Sequence, residues 1–213
     1  MKLFLATFLA FTIALASVPA RAADADVYVM RGLFGFLFPE VIYPMAKDFE
    51  DQGYNVLMTT YHPWNQTRIL KDAMKKHEAS NGKSKVVIIG HSLGGNAATN
   101  LSQKFEKAGI NIEYLAVIDA PMPKKIGRSP LVVDNFYQFN DFRNPILELE
   151  NERAILENGK TRKIELTQYN FRGKEGRNGG PGIRKQKENH FSIATNDFTL
   201  QRINDKIDEV NDR

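Results

Sequence analysis

Residues 86–98, VVIIGHSLGGNAA, constrain the fold more than any other segment of the chain. Residues 86–89 are wholly apolar, as expected of a strand that is covered on both faces of a sheet. Residues 96–108 then repeat apolar side chains at helical spacing, and Gly109 follows, a residue typical of a helix end. A buried strand that leads directly into a helix predicts one unit of a parallel α/β sheet.

The same alternation continues to about residue 120. Apolar runs at 26–30, 54–58 and 114–118 predict further strands, and apolar side chains recur at helical spacing over 41–49 and 69–74. Strands that alternate with amphipathic helices predict an α/β fold with a mostly parallel central sheet and helices on both faces.

The second half of the chain is less regular. Residues 131–139 predict one more strand, and residues 154–169 predict a β-hairpin because Asn158-Gly159 lies between two alternating runs. Residues 191–211 predict a closing helix. Since no repeat or long linker divides the chain, we expect one domain over residues 23–213, too short to include a large lid.

Residues 1–22 have the layout of a secretory signal peptide. Lys2 gives a positive start, residues 3–16 are apolar and small residues with threonines, and Ala20-Arg21-Ala22 fits an A-x-A cleavage site. The apolar run is shorter than the roughly 20 residues that span a bilayer. We expect cleavage after Ala22, no transmembrane anchor afterwards, and a protein located in the periplasm or outside the cell.

Composition excludes several classes of function. The 213 residues include no cysteine, which excludes disulfides, thiolate metal sites and a cysteine nucleophile. The net charge of +4 falls to +2 once Lys2 and Arg21 leave with the first segment, and a nearly neutral domain is not typical of a dedicated nucleic-acid binder. Residues 172–187 are rich in basic residues and glycine, which favours a solvated loop, with attraction of an anionic substrate or lipid surface as the alternative.

The segment Gly90-His91-Ser92-Leu93-Gly94 fits the pattern G-x-S-x-G in the setting that its chemistry requires, between a buried strand and a helix. The sharp turn projects the hydroxyl of Ser92 above the carboxyl edge of the sheet. The N–H of Leu93, at the start of the helix, points to where a negative oxygen would form. We therefore predict Ser92 as a nucleophile and Leu93 as one oxyanion donor.

The base that such a serine needs is found by elimination among four histidines. His91 lies inside the turn with its side chain directed away from the hydroxyl, and His77 lies in a polar helical stretch. His62 follows the second strand and could line a pocket. His190 follows the last predicted strand, which gives the chain order Ser…Asp…His, and we predict it as the base.

Two carboxylates are candidates for the acid that orients the base. Asp119 ends the strand at 114–118 and so lies at the same edge as Ser92. Asp141 follows the next strand and would face that edge as well, whereas Asp134 lies within that strand and is the weakest candidate. We favour Asp119, with Asp141 as the alternative.

The loop after the first strand, residues 31–35, should supply the second oxyanion donor, because its glycines let the backbone approach a substrate. The N–H of Leu33 or Phe34 is the candidate. Phe34, Tyr61 and Trp64 follow the ends of strands and could wall a substrate pocket, although core packing under the loops explains them equally well.

The chain resembles the α/β-hydrolase family, specifically its small, lidless lipase- and thioesterase-like members. The resemblance is carried by VVIIGHSLGGNAA (86–98), supported by RGLFGF (31–36), AVIDAP (116–121) and NHFSIA (189–194). It implies a Ser-His-Asp triad, and thioesterase domains of the family place the acid at the position of Asp119. The chain departs from the family in its Arg-Gly loop, where many members have His-Gly, and in the hairpin predicted near 144–170.

These features together predict a serine hydrolase that cleaves small-molecule or lipid carboxylic esters or thioesters without a metal or organic cofactor. The rival hypothesis is a non-catalytic binding protein of the cell envelope on the same fold. The rival requires Ser92 to be no more reactive than a surface serine. The sequence does not choose between esters and thioesters and does not give the oligomeric state.

Overall fold

The computed structural model describes residues 24–33, 39–138, 153–171 and 189–213. In chain order the elements are β1 (Ala25–Arg31), a 3-10 turn (Pro39–Val41), α1 (Tyr43–Asp51), β2 (Asn55–Thr60), α2 (Pro63–Ala79), β3 (Lys85–His91), α3 (Leu93–Ala108), β4 (Ile112–Ile118), β5 (Pro130–Tyr137), β6 (Arg153–Ile155), β7 (Thr161–Lys163), β8 (Glu165–Asn170), α4 (Ser192–Thr195) and α5 (Asp197–Asp212).

Six of these strands form one parallel sheet in the order β2-β1-β3-β4-β5-β8. The four inner strands are buried almost throughout, which is why apolar residues dominate their sequences, although β5 also buries Asp134 and Asn135. The chain runs outward from β1 to β2 and then returns past β1 to β3. With right-handed crossovers, this reversal puts α1 on one face and both α2 and α3 on the other.

Contacts between helices agree with this arrangement. Asn100 of α3 donates a hydrogen bond to Gln66 of α2, and Gln52, which caps α1, donates one to Asn204 of α5. The predicted α/β fold, with a parallel central sheet and helices on both faces, is therefore confirmed.

Two predicted elements of the second half are divided in the structure. In the segment predicted as one hairpin over 154–169, β6 and β7 pair around a turn that contains Gly159, but β8 leaves them and pairs with β5 in the main sheet. The closing helix predicted over 191–211 is interrupted at Asn196, whose side chain accepts a hydrogen bond from the N–H of Phe198 and caps α5.

Several predictions concern parts of the chain outside the described residues. These are the signal peptide over 1–22, the side chain of Phe34, the alternative acid Asp141 and the basic stretch 172–187. Among the helices that the structure describes, none is long and apolar enough to cross a membrane.

Candidate active site

Ser92 occupies the turn between β3 and α3 with backbone angles of φ 58° and ψ −128°. Its carbonyl accepts hydrogen bonds from the N–H groups of Gly95 and Asn96, so Ser92 is the N-cap of α3. Its own N–H donates to the carbonyl of Ile118 at the end of β4, at 2.9 Å. The side chain consequently projects from the start of a helix at the carboxyl edge of the sheet.

The turn packs backbone against backbone, which explains its glycines. A Cβ atom at Gly94 would overlap the carbonyl oxygen of Met30 in β1, and a Cβ at Gly90 would overlap the carbonyl of Gly94. Any side chain at either position would push α3 away from the strand ends. The spacing G-x-S-x-G therefore follows from the close approach of α3 to β1 and β3.

His190 and Asp119 complete a line of hydrogen bonds that begins at Ser92. His190 Nε2 lies 2.8 Å from Ser92 Oγ, and His190 Nδ1 lies 2.8 Å from Asp119 Oδ2. Because a carboxylate only accepts, Nδ1 carries the proton, and in the neutral form of the ring Nε2 can accept the hydrogen bond that the hydroxyl donates. This is the geometry in which an imidazole can remove the serine proton.

Asp119 is held from two sides. Its N–H donates to the carbonyl of Phe136 in β5 at 2.7 Å, and its side chain is only 4% exposed. Gln138 Nε2, just beyond β5, donates to Asp119 Oδ2 at 2.7 Å, the same oxygen that faces His190. The amide of Gln138 thus orients the carboxylate toward the imidazole and offsets part of the cost of burying its charge.

The side chain of His91 connects the serine turn to the main chain of His190. Its Nε2 lies 2.7 Å from the main-chain oxygen of His190, and the two rings are 4.9 Å apart. Burial lowers the pKa of His91 to about 4, against the pull of the hydrogen bond to that oxygen. His91 is therefore neutral near pH 7.

The loop after β1 passes directly over the serine. A Cβ at Gly32 would lie 2.8 Å from Ser92 Cβ and 3.0 Å from its Oγ, so only glycine fits there. The next residue, Leu33, has a side chain that is 46% exposed. The predicted oxyanion donors within the described residues are the next residues along the chain from this contact: Leu33 follows Gly32, and Leu93 follows Ser92.

The aromatic residues predicted to line a pocket form a ladder of rings after β2. The ring of His62 stacks on Tyr61 at 4.4 Å and on Trp64 at 4.2 Å. Trp64 is 66% exposed, so its ring stands at the surface instead of closing a cavity. The role of Tyr61 and Trp64 in substrate binding stays a prediction.

Two further candidates from the sequence are engaged elsewhere. The carboxylate of Asp134, fully buried in β5, accepts hydrogen bonds from Arg202 Nε at 2.8 Å and from the hydroxyl of Tyr114 at 3.0 Å. His77 lies at the other end of the molecule, 3.7 Å from a carboxylate oxygen of Glu157. Neither residue belongs to the line of hydrogen bonds at Ser92.

A concave region lies at the amino ends of the strands, away from Ser92. It is open to solvent, about 910 Å³ in volume, and lined mostly by polar and charged residues, several of which pair with one another. Lys76 contacts Asp26 at 2.8 Å, and Arg213 lies 3.9 Å from Glu113. In the part of the chain that the structure describes, no group of three or more histidine or carboxylate side chains is arranged to hold a metal ion.

Sequence reasoning missed Gln138 and the contact made by His91. Gln138 lies within the strand predicted over 131–139, beside the strand that ends at Asp119, so its position next to the carboxyl edge was an available signal. The bond from His91 joins residues that are 99 positions apart, and no local pattern indicates it.

No protein-family model matches the chain, and no curated protein matches it. Among solved structures, the chain is similar to a protein from Xanthomonas campestris pv. campestris described as a candidate hydrolase of the alpha/beta superfamily. The identity is 15% and the TM-score 0.37, over 59% of this chain and 78% of that one. The fold stated above rests on the strand order and not on this likeness.

Proposed function

We propose that the chain is a serine hydrolase that acts outside the cytoplasm on carboxylic esters or thioesters of small molecules or lipids. The observation that supports this most is the pair of 2.8 Å hydrogen bonds that link Ser92 to His190 and His190 to Asp119. These residues come from three distant parts of the chain, and a fold that did not need them together would have little reason to align them. The layout of residues 1–22 supports the location.

In the proposed reaction, Ser92 Oγ attacks the acyl carbonyl carbon while His190 Nε2 takes its proton. Asp119 stabilises the imidazolium that forms. His190 then donates the proton to the departing alcohol or thiol, which leaves the acyl group on Ser92. A water molecule, activated by the same imidazole, attacks this ester and releases the acid and the free serine.

In this proposal, main-chain N–H groups stabilise the negatively charged oxygen that forms when Ser92 attacks the carbonyl. The N–H of Leu93 lies in the first turn of α3, so no carbonyl of a preceding helical turn accepts a hydrogen bond from it. The helix dipole also favours negative charge at this end. The N–H of Leu33 or Phe34 is the second donor. Tyr61 and Trp64 would contact the substrate beyond the reacting bond.

The test is turnover by a purified chain that begins at Ala23, using p-nitrophenyl esters and acyl thioesters of increasing chain length. We expect Ser92→Ala to lower kcat by about 10³-fold or more, and Asp119→Asn by about 10³- to 10⁴-fold, because the amide holds the wrong tautomer of His190. Ser84→Ala, at the opposite edge of the sheet, is the matched control. Turnover that survives in folded Ser92→Ala would refute Ser92 as the nucleophile, whereas a folded wild-type chain without turnover would favour a non-catalytic binding protein.

A further inference from the structure

The imidazole of His91 connects the serine turn to the segment that carries His190. His91 is the residue before Ser92 and is 4% exposed. Its Nε2 faces the main-chain oxygen of His190 at 2.7 Å. Because a carbonyl oxygen only accepts, His91 Nε2 carries a proton and donates it, which fixes the tautomer of this ring.

The rest of the segment around His190 is shaped by its own short-range bonds. Asn189 Oδ1 accepts hydrogen bonds from the N–H groups of Phe191 and Ser192, and Ser192 Oγ accepts one from the N–H of Asn189. Ile193 anchors the following helix in the core. These contacts lie within the segment, whereas the bond from His91 connects the main chain of the segment to the turn, beside the side-chain bond between His190 and Ser92.

The charge state of His91 suits this position. The groups that act on it electrostatically are His190 and Asp119, and burial keeps the pKa of His91 low. A neutral donor therefore stands beside an imidazole that becomes positively charged during the proposed reaction. A second cation at this distance would oppose that charge.

We propose that His91 is a positioning residue for His190: its hydrogen bond to the main chain of His190 holds the imidazole at the correct distance from Ser92. The inference rests on the proposed roles of Ser92 and His190. His91 is the variable second residue of G-x-S-x-G. With this role, one turn positions both the nucleophile and the backbone of its base.

The test compares two replacements of similar shape. His91→Gln keeps an N–H donor near the position of Nε2, and His91→Met removes it. We expect His91→Met to lower kcat by roughly 10- to 100-fold with little change in KM, because a small displacement of the base slows the chemical step. His91→Gln should recover most of that loss. If His91→Met does not fold, His91→Asn, whose amide is too short to reach, takes its place.

A second readout does not depend on turnover. Proton–nitrogen NMR correlations of the histidine side chains report which ring nitrogen of His190 carries the proton. We expect one Nδ1–H tautomer in wild type and in His91→Gln, and a mixture of tautomers in His91→Met. A single tautomer and unchanged kcat in folded His91→Met would overturn the role of His91. If the wild-type chain shows no Ser92-dependent turnover, the proposed function is overturned. The NMR comparison would still decide the role of His91.

Discussion

At the scale of single residues, Ser92 has a backbone conformation that costs about 1–3 kcal/mol for a residue with a side chain. Its surroundings hold it there. The N–H is bonded to Ile118, the carbonyl begins α3, and Gly32 packs against the side chain. The strained turn directs the hydroxyl toward His190, and this is the position that the proposed chemistry requires.

Gln138 offers a sharp residue-scale prediction. Its amide and the imidazole of His190 share one oxygen of Asp119. Gln138→Leu removes the donor at similar volume, and a hydrogen bond to a charged group contributes about 1.5–3 kcal/mol, so we expect kcat to fall roughly 10- to 100-fold. The control is Gln168→Leu, which replaces a buried glutamine of β8 that accepts a hydrogen bond from Asn135. This variant should retain kcat. Equal kcat in both variants would show that Gln138 does not orient the acid.

The buried imidazole of His91 predicts a dependence of stability on pH. Its pKa is about 4 in the folded chain and 6.5 in an ordinary histidine, so between these values the unfolded chain binds the extra proton. The contribution of neutral His91 to the free energy of unfolding is therefore fully present above pH 6.5, decreases on acidification and is absent below pH 4. It amounts to about 3 kcal/mol at most.

Urea unfolding at several pH values measures this effect. Over the interval from pH 6.5 to pH 4, wild type should lose more unfolding free energy than His91→Gln, which keeps the donor but does not titrate. Parallel curves for the two proteins would mean that His91 is not buried as a neutral group.

At the scale of elements, α5 packs on the sheet through buried apolar residues such as Ile203 and Ile207 and through an ion pair. Arg202 donates to Asp134, which is fully buried in β5 and also accepts from Tyr114. Burial raises the pKa of Asp134, and the guanidinium of Arg202 opposes that shift. The pair therefore depends on the presence of both partners.

Arg202→Leu should destabilise the fold by about 3–5 kcal/mol, because it leaves a buried carboxylate without its cation. The double variant Arg202→Leu/Asp134→Leu should recover much of that loss, and chemical denaturation of both proteins checks it. If the single variant is as stable as wild type, the ion pair does not hold α5.

The success of prediction also differs between elements for physical reasons. The strands at 26–30, 86–89 and 114–118 were predictable because burial on both faces leaves mostly apolar residues. The division between β7 and β8 was not predictable, since the alternating pattern runs through both and only pairing with β5 separates them. The break at Asn196 was predictable in principle, because Asn followed by Asp is a common start of a helix.

At the scale of the whole molecule, the sheet brings together residues that are 71 and 98 positions apart, since parallel strands end at one edge. Chain order and strand ends pointed to Ser92 and His190 and narrowed the acid to Asp119 or Asp141, and the structure places the side chains of Ser92, His190 and Asp119 in one line. The contacts of Gln138 and His91 were not predictable in this way, because they depend on the directions of side chains from different elements. Asp141 lies outside the described residues.

The most direct measurement is the intact mass of the purified chain 23–213 after treatment with a fluorophosphonate, which reacts with activated serines. Wild type should gain one adduct, Ser92→Ala none, and His190→Ala little or none over the same time, because the hydroxyl reacts only when the imidazole takes its proton. Circular dichroism confirms that each variant is folded. A folded wild-type chain without an adduct, or an adduct that persists in Ser92→Ala, would contradict the assignment of Ser92 as the nucleophile.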